Sequence, residues 1–121
     1  MITTKPQEWV INHIPALSVI ATITKPAGGA GVSHVCTSIT ASVASDVTAS
    51  SIIIVRLRDG ASGAGTVLWA ATLRSGVNIS KDIVLNGLCF IGSPNTAMTL
   101  EFDLVDVNHQ EIVALGGYTT S

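Results

Sequence analysis

The chain has 121 residues, 47% of them hydrophobic and only 12% charged, with a formal net charge of −2. That length suits a single domain with its own core. Its six basic residues are scattered, which leaves nucleic acid without the field it needs, and no apolar run approaches the ~20 residues of a membrane-spanning helix.

The first residues, 1–14, read as a short polar arm carrying Pro6 and Trp9, and residues 15–121 as one β domain. No apolar h-region with a cleavage site follows the arm's lysine, so the expected place of synthesis is a cytoplasm. From Leu17, alternation of Leu17, Val19, Ala21 and Ile23 against Ser18, Ile20, Thr22 and Thr24 predicts a half-buried strand ending at Lys25-Pro26. Ala27 to Gly31 is a flexible turn. Val32 to Val43 then predicts a strand with Val35, Thr37, Ile39, Ala41 and Val43 on one face and His34, Cys36, Ser38 and Thr40 on the other.

Ser51 to Arg58 is dense in β-branched residues and Thr66 to Arg74 is a second apolar run. Between them the loop beginning at Asp59-Gly60 is built of glycine, alanine and serine, and Gly60, Gly63 and Gly65 supply the positive φ values a reversal needs. Trp69 is assigned to the core. Ser75 to Asp82 is turn-rich, Ile83 to Leu85 is a short strand, and Asn86-Gly87 signals a tight turn before Leu88 to Ile91. Met98, Leu100, Phe102 and Leu104 alternate with Thr99, Glu101 and Asp103, a strand with one core face and one wet face. Asp106 to Glu111 reads as a polar turn, and Ile112 to Leu115 with Tyr118 as the last strand. About eight strands with regular turn signals predict an all-β chain, an antiparallel β-sandwich or jelly roll with little or no helix.

No pattern of catalytic chemistry stands out. The glycine-rich stretches lack the spacing of dinucleotide or phosphate loops, and His13, His34 and His109 match serines and acids no better than chance; His34, within a β run, reads as structural. Glu101, Asp103, Asp106 and Glu111 do not follow a calcium-loop spacing. Cys36 and Cys89 are too isolated for zinc and read as reduced, mostly buried thiols. The expectation is therefore no catalytic, cofactor or metal residue, and not an enzyme. A surface poor in lysine and glutamate resembles an interface, which predicts self-association. Candidate contact residues are Trp9, Val10 and Ile11 in the arm, and Arg56, Arg58, Glu101 and Asp103, which pair either across an interface or within the chain.

Three segments, AGGAGVSHVCTSITAS at Ala27 to Ser42, RDGASGAGTVLW at Arg58 to Trp69 and GSPNTAMTLEFD at Gly92 to Asp103, together with the closing GYTTS, resemble small structural proteins of tailed bacteriophages, including capsid decoration or cement proteins. The resemblance runs over most of the chain from about Ala27. It implies a homotrimer on the outer capsid at three-fold or quasi-three-fold positions, with the major capsid protein as partner, bridging neighbouring capsomers of the virion. On that reading the arm reaches onto the shell, and removing the residues before Pro15 is expected to weaken attachment while leaving the sandwich folded. The rival expectation is a head-fibre, spike or tail sandwich that binds carbohydrate or a receptor.

Overall fold

The computed structural model describes residues 7–45, 52–74, 79–105 and 108–120. Nine strands occur among them: β1 (Gln7–His13), β2 (Thr22–Lys25), β3 (His34–Ser45), β4 (Ile52–Asp59), β5 (Thr66–Arg74), β6 (Ile79–Leu85), β7 (Phe90–Ile91), β8 (Met98–Phe102) and β9 (His109–Thr119). They form two antiparallel sheets, one ordered β1-β9-β3-β6 with the short β7 also on β3, the other β2-β8-β4-β5.

With β7 set aside, the pairs nest: β1 with β9, β2 with β8, β3 with β6, and β4 with β5. That is the pairing of one long hairpin rolled over on itself, the strand order of a jelly roll. The predicted all-β sandwich is thus the fold.

Period-two alternation builds the core. Ile39, Ala41 and Val43 of β3, Ile53, Val55 and Leu57 of β4, Met98, Leu100 and Phe102 of β8, and Val113 and Leu115 of β9 point between the sheets and are buried. Each large side chain so removed from water contributes about 1.5–3 kcal/mol before entropy is counted. A bulge between Cys36 and Ser38 breaks the expected alternation of β3. The extra residue turns Cys36 into the core beside Ile39, where unbroken alternation would have faced it outward. Trp69 is half-buried, packed on the edge of this core.

Four expectations are corrected. The segment read as an arm contains β1, paired residue by residue with β9 from Gln7↔Thr119 to His13↔Val113. Removing the residues before Pro15 would strip a whole strand from the sheet, so the sandwich would not be left intact. The strand expected from Leu17 begins only at Thr22. β6 and β9 start earlier than their apolar runs suggest, at Ile79 and His109. Finally, β8 has no wet face, since all five of its residues are buried. Residues 1–6 of the predicted arm, 46–51 between β3 and β4, and 75–78 and 106–107, parts of the predicted turns, lie outside the described residues.

Candidate functional site

The β1–β2 connection carries a run of exposed apolar side chains. Ile14, Leu17, Val19 and Ile20 are 64%, 55%, 46% and 38% exposed, four large apolar side chains in seven residues turned to solvent. The backbone beneath them is held fast by the start of β9. The Ser18 N–H donates to the His109 carbonyl at 2.9 Å, and the Asn108 N–H donates to Ser18 Oγ at 2.8 Å. Gln110 Nε2 donates to the Pro15 carbonyl at 2.6 Å, and the Ala21 N–H to Glu111 Oε1 at 3.1 Å. At the loop's far end the Thr22 N–H reaches His13 Nδ1 at 3.1 Å. Ser18 sits at φ 66°, a left-handed conformation that serine adopts at a cost and keeps here through bonds on both its N–H and its hydroxyl. Polar groups thus face the scaffold while the apolar ones face out.

Ile20 also lines an open groove on the outer side of the second sheet, with Thr22, Arg56, Arg58, Ser62, Gly63, Glu101 and Asp103. Register explains the gathering: Arg56 lies opposite Glu101, and Glu101 opposite Thr22. Arg58 Nε donates to Glu101 Oε1 at 2.8 Å, and Arg56 approaches Asp103 at 3.9 Å. The glycine-rich loop folds back over this face. Ser62 Oγ donates to Glu101 Oε2, the Gly63 N–H to Oε1 at 2.8 Å, and Thr99 Oγ1 to the Gly60 carbonyl at 2.8 Å. That roof covers the face of β8 the alternation pattern marked as wet. Burial pushes the Glu101 carboxyl up, but the Ser62 and Gly63 donors and the Arg58 guanidinium outweigh it, and the group sits below its ordinary value. All four charged candidates meet, and they pair within one chain.

The arm candidates divide. Val10 is 76% exposed, whereas Ile11 packs against the core. Trp9 is tied inward: its Nε1–H donates to Thr119 Oγ1 at 2.9 Å, its ring meets His34 edge-on at 5.7 Å, and Lys25 lies 5.4 Å over its face. His34 Nε2 donates to the Pro26 carbonyl at 2.6 Å, which leaves Nδ1 of a neutral ring to accept from the Thr119 hydroxyl at 2.8 Å. These contacts make His34 the structural histidine its β run suggested. Cys36 is buried, and burial pushes its thiol up to about 11, while Cys89 is exposed, contrary to expectation. Among the described residues no group of His, Cys, Asp and Glu is arranged to hold a metal ion, and no helix is long and apolar enough to cross a membrane.

The apolar loop was missed from sequence because its alternation mimics a strand. The signal that could have exposed it is Pro15 followed by Ala16, a break just before the run. No family model matches the chain and no curated protein matches it. Among solved structures, the tobacco streak virus coat protein is similar at a TM-score of 0.39 and 9% identity, over 99% of this chain and 91% of that one. The fold assignment stands on the strand order of the chain itself.

Proposed function

We propose that the chain is a non-enzymatic structural protein of a tailed-phage virion, a capsid decoration or cement subunit that docks on the outer shell. The observation that carries the reading is the Ile14–Ile20 loop, a solvent-facing apolar knob whose backbone is pinned so that docking costs little further ordering. The neighbouring groove supplies charge of both signs for register against the major capsid protein. The motifs at Ala27 to Ser42, Arg58 to Trp69 and Gly92 to Asp103 support the phage assignment by resemblance.

The trimer implied by that resemblance has a suitable surface on the other sheet. There Asn12, Ala114, Thr40 and Val84 form one row, flanked by Ile112, Ser42 and Asp82. It is nearly free of charge and made largely of small side chains. Three modest loop contacts acting through one trimer would clamp firmly, because the second and third bind at high effective concentration.

The test is co-sedimentation with capsids. Leu17→Asp combined with Val19→Asp removes apolar contacts worth about 1.5–3 kcal/mol each if buried, so attachment should weaken by more than tenfold with the melting temperature unchanged. Undiminished binding by that variant would overturn the docking assignment. A second reading, a fibre or tail module for carbohydrate, is favoured by an open groove floored by Gly116 and Gly117 and edged by Glu8, Thr37, Ser38 and Tyr118. Glycan-array binding without capsid binding would select it.

A further inference from the structure

The sandwich has four sheet edges, and three of them are guarded in the ways that keep strands from pairing with strangers. β2 is four residues long and runs into Pro26. β1 carries Glu8, and β6 carries Lys81 and Asp82 side by side. β5 differs. It is nine residues long, has no charge and no proline from Thr66 to Leu73, and its irregularity lies only near its start, where Leu57/Arg58 meet Trp69/Val67. Among the described residues it pairs on one side alone, with β4. Every second residue therefore turns an N–H and a C=O toward an open edge. The core is also incompletely closed there: Leu68, Trp69 and Ala71 pack against it but are only partly buried.

We propose that the β5 edge is a self-association site at which a second copy of this chain adds its own β5 antiparallel about a two-fold axis, joining two four-stranded sheets into one of eight. The sequence of β5 fits itself in one register. With Ala70 opposite Ala70, each Trp69 faces an Ala71 of the other copy on the core side, large against small, and Thr72 faces Leu68, the extra residue of the bulge in β5. Moving the centre to Ala71 sets Trp69 against Leu73 and crowds the core side. Thr66 to Leu73 brings no charge into the pairing in the Ala70 register except at its margin, where Arg74 lies opposite Thr66. The contact is separate from the capsid-docking loop and from any three-fold contact.

The experiment is disulfide trapping in a Cys89→Ser background, which removes the exposed thiol and leaves the buried Cys36. Ala70→Cys places two thiols opposite each other on the axis, within the ~7 Å between Cα atoms that a disulfide allows. Thr72→Cys separates its two copies by four residues along the strands, roughly 13 Å. Mild oxidation should convert most of the Ala70→Cys protein to a covalent dimer and little of the Thr72→Cys protein, and light scattering of the unmodified chain should give two copies, or six where the three-fold contact forms as well. Equal trapping of both variants, trapping of Thr72→Cys alone, or a chain that stays single with neither trapped would overturn the proposal; the last result would leave the edge for a strand of another protein. Capsid attachment is scored separately with the loop variant, so failure of one reading does not mimic failure of the other.

Discussion

Glu101 holds down a loop that offers almost no side chains of its own, using Ser62 and one backbone N–H as handles. Because its folded pKa lies below that of an ordinary glutamate, its contribution to stability is complete above the ordinary glutamate range and is lost as pH falls through the lower, folded value. Acid titration of the melting temperature should therefore show a drop in that window. Glu101→Gln should flatten it while costing about 1–3 kcal/mol at neutral pH. Glycine matters in the same loop for two different reasons. Gly65 has φ 80° and a Cβ there would overlap the Asp59 carbonyl, whereas Gly63 has φ 71° with open space around it. Gly65→Ala should cost clearly more than the ~1 kcal/mol expected of Gly63→Ala from backbone conformation alone, a ranking that denaturant unfolding of both variants would check. The thiols make a third contrast: one equivalent of a thiol reagent should react with the native protein and two after unfolding, with Cys89 the first.

At the scale of elements, period two located the strands it could see as uninterrupted runs. β4 and β5 lie close to the apolar runs Ser51 to Arg58 and Thr66 to Arg74, and β8 to the alternation from Met98 to Leu104. It failed where partners decide. Gln7–His13 has polar ends around Trp9, Val10 and Ile11, shows no period of two, and is held as a strand by β9, 100 or more residues later in the chain, a contact that no local pattern contains. Leu17 to Ile20 alternates and is no strand: the Ser18 and Val19 N–H groups bond to the His109 and Ala16 carbonyls rather than to a neighbouring ladder. The same division applies to the site. The acids and arginines of the groove were legible as a set, since i, i+2 spacing on Arg56/Arg58 and Glu101/Asp103 puts each pair on one face. Their mutual pairing depended on register between β4 and β8, and their burial on a loop folding back, neither of which is written locally.

At the scale of the whole molecule, the nested pairing makes most stabilising contacts long-range, so closure entropy must be met before they form and folding should be slow for the chain's size, in the millisecond-to-second range. The pairing of β1 with β9 has a further consequence, for display. Gln7 and Thr119 lie side by side at one end of the sandwich, while His13, which leads into the apolar loop, lies at the other end of the same strand. A peptide or domain joined beyond Thr119 would stand roughly 20 Å from the loop and on its far side, so that, with the loop docked as proposed, a passenger would be carried outward without obstructing attachment.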